Sequence, residues 1–428
     1  MNNTYILSLL LCCSGMLPCR AQQYTLEDCK ELALQNNLVL SNSKIDQEIA
    51  EQEKKKAFTK YFPDVNASGM AFNANKGMAE MTMMLPGLEQ GLPLSMMKNG
   101  KTAAVTAVQP LFAGGRIVNG NKLARLGKDV AAFRHKLTEN EVLETTEAYF
   151  WQAVSLNEKL KTVSAIQSLL ASLHKEVSLS VEAGLTTRND LLRVELKQQE
   201  AESNRLKIEN GIQVNKLALS QYIGTDPARF EIKEPDFSSL ESPAAYYMET
   251  ENAILLRTES KLLDKNVEAA KLQKRMEIGK NLPSVGLGVG YVYHDFLEKD
   301  HDFALGFVSV TVPVSSWWGG SHSIRQEKLK QLQAEQERTN RKELMAVQIE
   351  QTWNELQETY KQIVLARKSV VSAEENMRLN TDYFKAGTVT LSDVLDAQSL
   401  LQQAHDQLTE ACTVYRLKQT QYLQRTGR

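Results

Sequence analysis

The sequence predicts a mainly α-helical chain that also carries membrane β-strands, arranged as two tandem repeats of one strand pair and one long helical hairpin each. Three observations predict it. Gly184, Thr187 and Asp190 recur as Gly387, Thr390 and Asp393, each 203 residues further on. Apolar residues at three- and four-residue spacing run without a break from Arg116 to about Ala183, which at about 1.5 Å per residue makes on the order of 100 Å of helix. The segment Val285-Gly-Leu-Gly-Val-Gly-Tyr-Val-Tyr293 alternates apolar and small residues, the two-residue period of a strand.

Composition narrows the setting. Fifty Lys and Arg against 52 Asp and Glu leave a formal charge of −2, which gives no reason to expect nucleic acid as a partner. Residues 5–18 form a short apolar run, and Cys19-Arg20-Ala21 places small residues at the first and third positions of a cleavage site, so 1–21 read as a secretory signal peptide. The stretch Met1-Asn2-Asn3-Thr4 lacks the usual basic residue, and lipid attachment at Cys13 after Leu10-Leu11-Cys12 is the alternative. Cleavage after Ala21 leaves Cys29 and Cys412, too few for a disulfide framework. Beyond residue 21 no apolar run reaches the roughly 20 residues of a membrane-spanning helix. A secreted chain of this kind enters a membrane only as a closed β-barrel.

The elements follow in order. Thr25 caps a short helix that Asn36-Asn37 ends, and a longer polar helix covers about 39–59. Pro63 stops that helix and opens a strand over about 63–75. Residues 70–97 hold seven of the 13 methionines and read as a long exposed loop, either an adaptable apolar tip or a Cu(I) site of thioethers. A second strand covers about 101–112. The long helix 116–183 turns at Gly184 into a return helix over about 189–223 that Gly224 ends, which completes a first repeat of 22–224.

Residues 225–245, with Pro227, Pro235 and Pro243, form a connector, and the second repeat fills 246–428. Ala33 and Pro63 are answered by Ala253 and Pro283 at an offset of 220; Pro110 and Gly114-Gly115 are answered by Pro313 and Gly319-Gly320. Gly184 to Gly224 and Gly387 to Gly427 both span 40 residues. The only large length difference lies between the paired strands, 47 residues from Pro63 to Pro110 against 30 from Pro283 to Pro313, which puts the Met-rich insertion at a hairpin tip. The second repeat's strands are predicted at about 283–294 and 302–314. Gly286-x-Gly288-x-Gly290 lacks a following helix and is read as small residues on the inner face of a barrel, not as a dinucleotide fingerprint. In the return strand Phe303, Leu305 and Phe307 share one face and Val308, Val310 and Val312 the other, a switch that a bulge or a change of surroundings would produce. Trp317-Trp318 marks either an interfacial aromatic belt or ordinary packing.

Four strands cannot close a barrel, because about eight is the smallest number that does and an open edge in lipid is forbidden. Several copies must combine. With this repeat, the Pro-Leu-Phe-Ala-Gly-Gly junction at 110–115 and the tips Ala-Gly-Leu-Thr-Thr-Arg-Asn-Asp (183–190) and Ala-Gly-Thr-Val-Thr-Leu-Ser-Asp-Val-Leu-Asp (386–396), the chain resembles the TolC family of outer-membrane efflux channels over about 22–428.

The resemblance implies a homotrimer with a shared 12-stranded β-barrel continued by a periplasmic α-barrel. It implies a passive exit channel of a tripartite efflux or type I secretion system, placed in the outer-membrane lipid with a large periplasmic portion. Its helical tips would meet a periplasmic adaptor protein and, through it, an inner-membrane pump. Gly184, Leu185, Thr186, Gly387 and Thr388 would then lie at the adaptor contact.

Asp393 and Asp396 match the family's paired aspartates at the periplasmic constriction, where rings of charge favour cations. For Asp393, as for Asp190, the role of capping-box acid is the favoured reading. Asp396 has no such role, and with Arg193 as its counterpart in the first repeat it is the candidate pore-lining carboxylate, paired with Arg193 in a closed state. Val389 and Phe384 replace an Arg and a Tyr that tie the closed tip in well-known relatives, and Arg188 is the candidate substitute. A periplasmic adaptor is the competing reading, although an adaptor would carry one hairpin and compact β domains. The six histidines are scattered without a catalytic or metal-binding motif; His294 and His301 flank a hairpin loop, where a shared metal is the alternative to the favoured reading as solvated loop residues. No enzyme activity, cofactor or metal is expected.

Overall fold

The structure, a computed structural model, describes residues 22–83, 92–233, 235, 240–295 and 300–428. The signal peptide expected at 1–21 and the tip of the Met-rich insertion at 84–91 lie outside the described residues.

The first half runs β1 (Gln22–Tyr24), α1 (Leu26–Asn36), α2 (Leu38–Phe58), β2 (Asp64–Asn73), β3 (Ala79–Met83), β4 (Leu92–Met96), β5 (Asn99–Ala113), α3 (Arg116–Glu182), α4 (Arg188–Ile223) and β6 (Phe230–Ile232). The second runs α5 (Thr250–Leu256), α6 (Thr258–Lys280), β7 (Ser284–Asp295), β8 (His301–Thr311), α7 (Ser316–Lys385) and α8 (Leu391–Arg425).

The duplication read from glycine spacing extends to single backbone bonds. Asn37 and Arg257 each interrupt a helix with one extended residue, at ψ 125° and 133°, and each donates its N–H to the carbonyl four residues back, Ala33 and Ala253. All four long or returning helices end at a left-handed glycine: Gly184, Gly224, Gly387 and Gly427 have φ between 70° and 78°. Each glycine N–H and the following N–H close back onto the last helical turn, for example Gly387 onto Phe384 and Thr388 onto Tyr383, so the orphan carbonyls are satisfied.

The chain divides into two compact units. One holds Ile45–Phe133 and Lys261–Asn340 and contains an antiparallel sheet of order β2-β5-β7-β8. Its register is continuous from Ser284↔Thr311 to His294↔His301 between β7 and β8, so no bulge separates Phe307 from Val308. The expected face switch has another cause. Gly286, Gly288 and Gly290 lie opposite Ser309, Phe307 and Leu305, and the larger side chains lie over the glycine lane; a side-chain carbon added at Gly288 would collide with the Phe307 ring. The opposite face carries Val285, Leu287, Val289, Tyr291, Val308 and Val310, and is largely exposed. Both faces of β8 are thus apolar, one covering glycine and one open. The irregularity in this sheet falls between Pro110 and Phe112 in the β5–β7 pairing, where proline cannot donate to the ladder.

The Met-rich insertion is not simply a loop: β3 and β4 form a two-stranded ribbon whose register pairs Met81 with Leu94 and Glu80 with Ser95. Pro93 and the neighbouring glycines obscure this ribbon in the sequence. At the base of the sheet the backbones of Gly114 and Gly279 touch, and a side-chain carbon on either would collide with the other's carbonyl oxygen. Gly279→Ala is therefore expected to cost roughly 1–3 kcal/mol of stability, as overpacking does, read as a lowered melting temperature; an unchanged melting temperature would show that the two segments separate freely.

The other unit, up to Lys44 with Arg134–Ser260 and Arg341–Arg428, is helical around three apolar clusters. The connector contributes to it: β6 pairs in parallel with β1, and Phe230 is buried and stacked on Tyr24 at 5.2 Å. Asn36 and Asn37 donate their side-chain amides to the Ile223 and Tyr222 carbonyls, 3.0 and 3.1 Å away, and so close the end of α4. No helix among the described residues is long and apolar enough to cross a membrane.

Candidate functional site

The candidate site is the pair of helical turns at 183–190 and 386–393. Four helices meet beneath them in one apolar cluster: Leu170 and Val177 of α3, Val194 of α4, Met377 of α7, and Leu391, Val394 and Leu395 of α8 are all buried there. Phe384 and Leu191 pack against the same cluster. Phe384 thus contributes apolar contact to the cluster beneath the turns.

Both capping boxes form. The Asp190 Oδ2 accepts from the Thr186 and Thr187 hydroxyls, each at 2.7 Å, and from the Thr187 N–H at 3.2 Å, while the Asp190 N–H donates to the Thr187 Oγ1 at 3.3 Å. Asp393 is held in the same way by Thr390, with bonds of 2.7 and 2.8 Å. These hydrogen bonds hold both carboxyls below the ordinary aspartate value of 3.8; for Asp190 the Thr186 hydroxyl contributes most, and for Asp393 the Thr390 hydroxyl.

The sign of the resulting pH dependence is fixed. A group whose folded value is depressed stabilises the fold above its unfolded value and loses that stabilisation as pH falls through the folded one. Both caps are expected to be intact from neutral pH down to about pH 4 and to loosen below it. Amide exchange at Asp190 and Asp393, compared at pH 7 and pH 3 after correction for the intrinsic rate, checks this; equal protection at both values would contradict it.

The remaining site residues fall into distinct places. Gly184 and Gly387 have open space around them and are required only for their left-handed backbone. Leu185 is 81% exposed, unusual for a leucine with no covering segment. Thr186 is tied to Asp190, and Thr388 donates its hydroxyl to the Tyr383 carbonyl at 3.0 Å. Arg193 donates from Nη1 to the Ser392 Oγ at 3.1 Å and thereby bridges the two hairpins. The expected partnership of Arg193 with Asp396 is not formed in this chain. Asp396 is exposed and makes no hydrogen bond or ion pair among the described residues, and the same holds of Arg188.

Asp396 belongs to a stripe. Asp393, Asp396, Leu400, Gln403, Gln407 and Glu410 are all exposed on α8 at intervals of three and four, whereas Val394, Ala397, Ala404 and Leu395 are buried on its other side. Ser392, as the acceptor of the inter-hairpin bond, is the residue that sequence reasoning missed; its helical position beside Asp393 gives no signal of a partner in the other repeat. Among the described residues no group of three or more His, Cys, Asp or Glu could hold a metal ion. His294 and His301 are cross-strand partners with ring centroids 5.6 Å apart.

The architecture has counterparts among known proteins. The family profile for outer membrane efflux proteins matches residues 265–425. A comparison with curated proteins finds no match. Among solved structures, the outer membrane protein VceC from Vibrio cholerae superposes with a TM-score of 0.78 at 17% identity, covering 94% of this chain and 96% of VceC. The Campylobacter jejuni CmeC outer membrane channel gives 0.79 at 13% identity, covering 94% and 85%. The open state of the Neisseria gonorrhoeae MtrE outer membrane channel gives 0.74 at 14%, covering 97% and 93%. Residues 265–425 match the outer membrane efflux protein family, and the chain as a whole has the fold of these solved outer membrane channels.

Proposed function

We propose that this protein is the outer-membrane exit channel of a tripartite efflux or type I secretion system, a passive conduit gated at its helical tips. The observation that carries the reading is the sheet. Among the described residues β2 and β8 are the open edges of the sheet, and β7 and β8 present an exposed apolar face of Leu287, Val289, Val308 and Val310. Such a surface is compatible with lipid only if the edges pair with further copies. Three copies supply twelve strands.

The glycine lane under Phe307 and Leu305 would then line the lumen and the valine face would meet lipid. In the tips, Asp396 and its stripe on α8 are free to line a pore, while the Arg193–Ser392 bond and the Phe384 contacts hold the two hairpins together in the closed state. Gly184, Leu185, Thr186, Gly387 and Thr388 would form the surface offered to a periplasmic adaptor, with Leu185 as its apolar anchor, and the adaptor would bring the inner-membrane pump. A periplasmic adaptor fits less well, because two hairpins of near-equal length flank two strand pairs that make one sheet.

Fractionation tests the reading. The chain is expected in the outer-membrane fraction, released by detergent and not by high salt or carbonate. Recovery in the soluble periplasmic fraction would overturn it.

A further inference from the structure

We propose that the base of the sheet is a binding surface for anionic phospholipid headgroups, formed by a concentration of basic residues where the four strands meet their helices. The inference rests on the reading of the sheet as a membrane barrel. The antiparallel register brings the start of β2, the end of β5, the start of β7 and the end of β8 to one end of the sheet, since Asp64 pairs with Val108, Ala113 with Ser284, and Ser284 with Thr311. In the twelve residues on the helix side of each of these strand ends (52–63, 114–125, 272–283 and 312–323) stand ten Lys and Arg against two acids, in a chain whose net charge is −2.

One of the two acids is already used: Glu277 pairs with Lys280 at 2.6 Å. By contrast Lys55, Lys56 and Lys60 are exposed and enter no ion pair among the described residues. Aromatic side chains are interleaved with them. Phe58 packs in T-shaped contacts with Tyr61 and Phe62 while all three remain exposed, and Trp318 is 81% exposed beside Trp317, whose indole N–H donates to the Asn281 carbonyl at 2.9 Å.

Aromatic rings at the rim of an apolar sheet face mark the headgroup level, and unpaired lysines at that level complement phosphate that carries no cation of its own. A zwitterionic headgroup would leave those charges uncompensated. Three copies would close the row into a ring.

Tryptophan quenching in bilayers tests this. The full chain is reconstituted in phosphatidylcholine containing phosphatidylglycerol, with bromine on the acyl chains of one lipid or the other, and emission of the exposed Trp317-Trp318 pair is read against that of the Trp317→Phe/Trp318→Phe variant. Phosphatidylglycerol is expected to be enriched around the pair by at least about fivefold, the factor one basic residue near an anionic surface supplies. The enrichment should fall towards unity in Lys55→Gln/Lys56→Gln/Lys60→Gln and in molar salt. Equal quenching by both lipids in a protein that still inserts and conducts would overturn the proposal alone, leaving these basic residues to an acidic protein partner. Failure to insert into either bilayer would instead overturn the barrel reading on which it rests.

Discussion

Asp396→Lys is expected to convert the channel from cation preference to anion preference in a planar bilayer, with the reversal potential in a salt gradient changing sign. The side chain is exposed, uncompensated, and aligned with Asp393 and Leu400 on the outward stripe of α8. One unit charge at about 4 Å is worth about 1 kcal/mol even through water, and a narrow pore raises that figure. In a trimer the substitution replaces three negative charges with three positive ones at one level. Asp396→Asn should produce a shift in the same direction of roughly half the size. Asp393→Asn is the informative companion, because Asp393 is already committed to Thr390; its main effect should be a softer start to α8. An unchanged reversal potential in Asp396→Lys would remove this residue from the conduction path.

The second large effect is expected from Phe384→Ala. Phe384 packs against the cluster that joins both hairpins, and removing roughly 80–100 Å² of apolar contact costs about 2 kcal/mol at about 25 cal/mol/Å². If the contact is lost on opening, the closed state is disfavoured by that amount, a factor of about 30 in the ratio of open to closed. Single-channel recording should show the open probability rising accordingly, with unit conductance unchanged. Arg193→Ala should act in the same direction but more weakly, since one exposed hydrogen bond contributes about 1 kcal/mol or less. Open probability unaltered in both variants would place the gate elsewhere.

Much of this was legible in the sequence because duplication leaves two copies of every constraint. A left-handed glycine, a capping threonine and its aspartate recur at Gly184, Thr187 and Asp190 and at Gly387, Thr390 and Asp393, and both copies form the same bonds. The single-residue breaks at Asn37 and Arg257 obey the same offset of 220 that Ala33 and Ala253 reveal. What escaped was whatever depends on pairing between segments far apart in the chain. β1 and β6 are three residues each, too short to show a period, and meet only because Phe230 is buried against Tyr24. The crowding of Phe307 over Gly288 looked like a change of face because alternation along one strand cannot report what stands opposite. In the same way the repeat offset matches Arg193 to Asp396, whereas the side chain reaches Ser392 one turn earlier.

In the proposed function, the four strands of each chain are closed into a barrel by further copies. Native mass spectrometry of the full chain, extracted from the outer membrane in mild detergent, measures this directly. A single species of three copies that conducts when added to a planar bilayer is expected. A monodisperse single chain under the same conditions, with no conductance, would contradict that closure.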